Sequence, residues 1–160
     1  MFTNAKDVKT FALAGNAILT VSSAKTGARY TFRIAAPSEK TEKGGLKRDT
    51  TKELRFVSLL TGPDNTADYT YLGVIKGVPT LETGPTFALT AKSKLPEYSD
   101  PVKAARYLCE RVIRHPEAPM PPGLEVRHEG KCGCCGRKLT VPESIDRGIG
   151  PECASKMMGA

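Results

Sequence analysis

Tryptophan is missing from this sequence of 160 residues, and aromatic residues of all kinds make up only 6% of it. That scarcity points to a small core. It also leaves no evident aromatic platform for stacking single-stranded bases, so any polynucleotide contact is expected to fall on phosphates rather than base edges. No apolar run approaches the roughly 18 to 20 residues that a membrane-spanning helix needs. Histidine occurs only twice. There is no His-Glu-x-x-His, no Gly-x-Ser-x-Gly and no phosphate-cradling Gly-Lys-Ser, so nothing in the sequence argues for a zinc protease, a serine hydrolase or a P-loop enzyme. Neither an internal repeat nor a coiled-coil heptad is visible. The first residues mix Lys6, Asp7 and Lys9 ahead of a short apolar stretch, which is not the pattern of a secretion signal; a cytoplasmic location is expected.

What is present suffices for a packed core, since 39% of the residues are hydrophobic. Basic side chains number 24 against 17 acidic ones, a formal charge of +7. The excess falls in residues 1–55 and 101–160, while 56–100 is acidic. Such a balance favours encounter with nucleic acid or an acidic protein surface through long-range attraction, and equally serves solubility.

Period-two alternation is clearest from Ala28 to Ile34, where Ala28, Tyr30, Phe32 and Ile34 share one face and Arg29, Thr31 and Arg33 the other. With Ala17 to Val21 upstream and a polar reversal ending in Gly27, this reads as an antiparallel hairpin. Residues 37–53 read as a mobile surface loop. Leu54 to Leu60 and Tyr69 to Ile75 read as strands joined by the turn-rich stretch Thr61 to Thr66, and Thr86 to Thr90 as a further short strand. Helical spacing shows only later: Asp100 can cap, Pro101 suits the first helical position, and Val102, Ala105, Cys109 and Val112 form an apolar stripe over about 101–114. The expected architecture is α+β: an antiparallel β-sheet with one covering helix in 1–115, a Pro-rich connector in 116–126, and a small zinc-binding module in 127–160.

Five cysteines stand at 109, 132, 134, 135 and 153. Cys109 lies on the helical stripe and reads as a core thiol. The other four are grouped too tightly for an ordinary disulfide framework, and in a reducing compartment they read as metal ligands. Cys132 and Cys135 have the spacing of a zinc knuckle, with Gly136 free to turn the chain beneath the ion. Cys153 follows Pro151 at a helix start, where exposed amides favour a thiolate. A closed tetrahedral site needs a fourth ligand. His128, four residues before Cys132, is the economical choice; Cys134 and a water are the alternatives. One structural Zn2+ per chain is expected, supplying folding energy that so short a segment lacks.

The run from His128 through Cys132-Gly-Cys-Cys135-Gly-Arg137 to Leu139 and Ser144-Ile145, followed by Gly148-Ile-Gly150-Pro151-Glu-Cys153, resembles a domain of unknown function found in many bacteriophage and bacterial proteins. The stretch Phe56 to Asn65 with Tyr69 to Gly73 is similar to its companion domain. The resemblance implies a treble-clef or ribbon-like zinc module with His128, Cys132, Cys135 and Cys153 as ligands and Cys134 as an extra cysteine. It implies no established activity. If the protein is phage-encoded, its expected place is the host cytoplasm.

DNA or RNA is the expected partner, contacted by Arg137, Lys138 and Arg147 on the zinc module and by Arg29 and Arg33 on the basic strand face. The alternative is a protein-interaction factor that inhibits or redirects a host complex. A third reading, a metal-dependent nuclease, would use Asp64 and Asp68, although their Gly-Pro-Asp-Asn setting already explains Asp64 as a turn residue.

Overall fold

A computed structural model describes residues 1–64, 67–77 and 84–159 of the chain, with side chains through Ser155. Its elements are α1 (Ala5–Ala12), β1 (Asn16–Ser23), β2 (Arg29–Ala35), β3 (Ser38–Lys40), β4 (Leu46–Arg48), β5 (Leu54–Leu60), β6 (Tyr69–Lys76), β7 (Thr86–Ala88), α2 (Asp100–Tyr107) running into a π-helical turn (Leu108–Ile113), β8 (Leu124–His128), α3 (Pro142–Arg147) and α4 (Pro151–Gly159). The class is α+β, as expected. A six-stranded sheet in the order β7-β6-β5-β2-β1-β8 is antiparallel at every pairing.

The β1–β2 hairpin forms with Leu19 opposite Phe32 and Ala17 opposite Ile34. Because side chains alternate across a sheet, this register puts Ala17, Leu19 and Val21 of β1 on the same face as Tyr30, Phe32 and Ile34 of β2. There Leu19, Phe32, Ile34, Val57, Ile75 and Val126 are buried together with Val8, Phe11, Val102, Leu108 and Val112 of the helices. Asn65 and Thr66 of the turn expected between β5 and β6 lie outside the described residues.

Several expectations are corrected. Two helices cover the sheet rather than one, because α1 also packs on it. Asn4 caps α1, its side chain accepting the Asp7 N–H at 2.8 Å, and Ala5, Val8, Phe11 and Ala12 form its buried face. The N-cap of α2 is Ser99, with Asp100 inside the first turn. Residues 37–53 include a small hairpin, β3 with β4, closed where the Thr41 N–H donates to the Gly45 carbonyl at 2.8 Å. Nearly all its side chains are exposed, so no apolar alternation advertises it.

The segment 124–128, which spans the end of the expected connector and the start of the expected module, is paired along β1 as an edge strand, with Val126 opposite Val21 and His128 opposite Leu19. The Phe2 N–H also donates to the Val126 carbonyl at 2.8 Å. Cys132, Leu139, Ile149 and Cys153 belong to the same buried cluster as the sheet and helices. The metal segment and the sheet therefore share one core. Among the described residues no helix is long and apolar enough to cross a membrane.

Candidate metal centre

Three local devices bring distant cysteines together. The first is a tight turn: the Cys132 N–H donates to the Arg137 carbonyl at 2.8 Å and the Gly136 N–H to the Cys132 carbonyl at 2.9 Å, with Gly136 at φ +79°. The second is the stop of α3 at Gly148, left-handed at φ +75°, whose N–H donates to the Ser144 carbonyl at 2.7 Å. The chain then reverses and Gly150-Pro151 opens α4, placing Cys153 in its first turn. The third is a ladder beneath: the Gly133 N–H donates to the Gly148 carbonyl at 2.9 Å and the Asn16 N–H to the Gly133 carbonyl at 2.7 Å, fastening the knuckle to α3 on one side and β1 on the other.

The result is a cluster in which the sulfurs of Cys132, Cys135 and Cys153 all lie within 4.8 Å of one another. Burial opposes ionisation of Cys132, but the amides of Gly150, Cys135 and Cys134 and the Cys135 thiol favour its thiolate, and the balance pulls its pKa below the usual thiol value. The Gly150 and Cys134 N–H groups lie 3.3 and 3.4 Å from its sulfur. Cys153 goes the other way: burial, then the neighbouring thiols of Cys135, Cys132 and Cys134, push it far above the ordinary range. One thiolate suppresses the next in so small a space, and a divalent cation removes that conflict by taking all of them as anions. Soft thiolates, a compact arrangement and N–H groups aimed at sulfur fit a borderline-soft metal ion. The cluster can thus hold a metal ion.

His128 is not brought to it. Pairing opposite Leu19 turns its side chain to the core face of the sheet, where its ring centroid lies 5.5 Å from that of Phe2 and 5.6 Å from that of Phe11. Its Nδ1 accepts the Gly130 N–H at 2.8 Å and its Nε2 lies against the Ile145 carbonyl. Four residues of separation from Cys132 do not amount to proximity here, because β8 ends at His128 and Gly130, at φ +81°, redirects the chain before the knuckle. Cys134 is the other thiol that bears on Cys153, raising its pKa, although it lies outside the mutual cluster of the other three.

The basic residues divide into groups. Arg137 and Lys138 are exposed on the rim of a cavity of about 250 Å³ beside Cys132, Cys135 and Cys153. Arg137 forms a surface ion pair with Glu152 at 3.4 Å, both 77% exposed. Arg147 closes α3 and is half-buried. Arg29 and Arg33 stand on β2, on the sheet face away from the core, with Arg29 exposed and the Arg33 guanidinium 4.0 Å above the Tyr69 ring. Asp68 serves its own turn, its carboxylate accepting the Asp64 N–H at 2.8 Å.

Residues 122–158, which include the knuckle, α3 and Cys153, match a family of unknown function, DUF6011. No curated protein and no solved structure matches the chain.

Proposed function

We propose that this protein is a non-catalytic, zinc-stabilised nucleic-acid-binding protein of phage type, in which a treble-clef or ribbon-like segment holds one structural zinc ion and carries phosphate-binding side chains. The observation that carries the reading is the meeting of Cys132, Cys135 and Cys153 with Arg137 and Lys138 on the adjoining rim. Cys134 or a water completes the tetrahedron. With the thiolates satisfied by the metal, the rim cations supply a positive surface whose charge is held in place by the fold. The exposed pair between Arg137 and Glu152 contributes little to stability, so Arg137 can exchange its carboxylate for a phosphate at small cost. Arg147, Arg29 and Arg33 extend the positive charge over α3 and the outer sheet face.

The test measures metal and binding together. Elemental analysis of protein purified without chelator should find one zinc per chain. Fluorescence anisotropy with unrelated oligonucleotides should show affinity that falls as salt rises. The triple variant Arg137→Ala, Lys138→Ala, Arg147→Ala should flatten that dependence by about 0.7–0.9 in log–log slope for each phosphate it no longer neutralises. Its zinc content and circular dichroism should match the wild type. A metal-free wild-type protein, or one that binds neither DNA nor RNA at low salt, overturns this reading. The second outcome would favour a protein-interaction factor acting on a host complex.

A further inference from the structure

The helical residues of the core lie on one face of the six-stranded sheet. The opposite face is built from every second residue of its strands, and cross-strand register decides what meets there. Tyr71, Ser58, Arg33 and Ile18 form one row across β6, β5, β2 and β1. Phe56 stands beside that row on β5, and Tyr69 beside it on β6. Phe56 is 38% exposed, and its ring centroid is 6.4 Å from that of Tyr71. The guanidinium carbon of Arg33 stands 4.0 Å over the Tyr69 ring. Arg48 of β4 is close enough for the charge of Arg33 to bear on its guanidinium. Two acidic groups also bear on this face: Glu125, paired with Arg127 at 3.3 Å, and Glu129, whose charge, after burial, raises the pKa of the Tyr69 hydroxyl. A positive centre at Arg33 and Arg48 thus adjoins Phe56, Tyr71 and Tyr69.

Aromatic rings and a guanidinium plane on an open sheet offer flat surfaces to bases, and neighbouring arginines offer partners to phosphates. Duplex bases keep their faces against one another and cannot use such a surface; unstacked bases can. We infer that this outer sheet face binds single-stranded nucleic acid, with bases stacking on Phe56, on Tyr71 and on the Arg33–Tyr69 pair, and phosphates meeting Arg48 and Arg29. The inference rests on the nucleic-acid reading above and gives it a second site, on the sheet, and a substrate class.

The experiment compares a single-stranded oligonucleotide with its duplex by fluorescence anisotropy, for the wild type and for Phe56→Ala, Tyr71→Leu and Tyr71→Phe. Tyr71→Phe keeps the ring and removes only the hydroxyl contact to Thr90 at 3.0 Å. Single strands should bind more tightly than duplex; Phe56→Ala and Tyr71→Leu should each weaken single-strand binding about tenfold, and Tyr71→Phe should retain it. A 5-bromouridine oligonucleotide cross-linked by ultraviolet light should give adducts on peptides containing Phe56 or Tyr69 to Tyr71, a readout that does not depend on any variant folding. Equal binding of strand and duplex, unaffected by the aromatic substitutions and with adducts confined to residues 131–153, overturns the sheet site while leaving the nucleic-acid reading standing. Absence of binding to any polynucleotide overturns both.

Discussion

Phe11→Ala removes the side chain on which α1, the β8 edge and the metal segment converge. Phe11 is 1% exposed, and its ring centroid is 5.2 Å from that of Phe2 and 5.6 Å from that of His128. The knuckle and the end of α3 press on it so closely that a Cβ at Gly133 would stand 2.7 Å from its Cδ2 and one at Gly148 2.5 Å. Truncating a buried Phe to Ala costs about 3–5 kcal/mol, a large part of the roughly 5–15 kcal/mol that holds a domain together. At about 2–4 °C per kcal/mol for a chain of this size, the melting temperature should fall by roughly 6–20 °C. Because Gly133 and Gly148 lose their support, metal should also leave faster, measured as colour development with a chromogenic chelator. Circular dichroism melts at a wavelength reporting the sheet should show a single lowered transition. If the sheet melts as in the wild type and only metal retention changes, or if melting lowers while the metal is held unchanged, the shared core is refuted and the segment after β8 is an independent unit.

Two further outcomes follow from buried groups outside the metal centre. Arg55 is 2% exposed and donates to the carbonyls of Leu13, Thr50, Lys52 and Leu54 at 2.9–3.2 Å, tying α1 to the loop before β5; Arg55→Met should lower stability by about 2–4 kcal/mol, read as a fall in the urea midpoint, and an unchanged midpoint would show those carbonyls to be satisfied otherwise. Burial, and then Glu110, push Cys109 from an ordinary 9.0 up to about 12, so its neutral form is the one the fold favours: the associated stability is complete below pH 9 and is lost as pH rises toward 12. At pH 8 its thiolate population is about a thousandfold below that of an ordinary thiol, so Cys109 should escape iodoacetamide in the native protein. Mass spectrometry finding it alkylated as fast as in the denatured chain would contradict its burial.

Much of the local structure was legible. Strict alternation from Ala28 to Ile34 marks a half-buried strand wherever it lies, and the apolar, turn-bounded run from Leu54 to Leu60 marks another, although not which face it buries, since Arg55 is buried and Phe56 exposed. The stripe from Val102 to Val112 marks a helix, although not its π-helical turn, since that changes the hydrogen-bond partner without changing which residues are apolar. The knuckle spacing of Cys132 and Cys135 and the Pro151 helix start ahead of Cys153 were legible for the same reason: each is a constraint within a few residues of chain.

What depended on residues far apart in sequence was not legible. α1 buries Ala5, Val8, Phe11 and Ala12, but eight residues are too few for periodicity to stand out, and the helix is held by the sheet it covers. His128 looked like a ligand by its distance along the chain; pairing with β1 sets it on the same strand face as the buried Val126, half-buried against Phe2 and Phe11 and outside the group of three sulfurs. A low aromatic content spoke against a stacking surface, yet register gathered Phe56, Tyr69 and Tyr71 on one face with Arg33. Spacing and alternation are properties of neighbouring residues, and the sequence alone determined the strands, the later helix and the three cysteines whose sulfurs cluster. Strand order, register and the common core arise from burying apolar faces against partners tens of residues away, so only the tertiary structure decided which side chains share a surface.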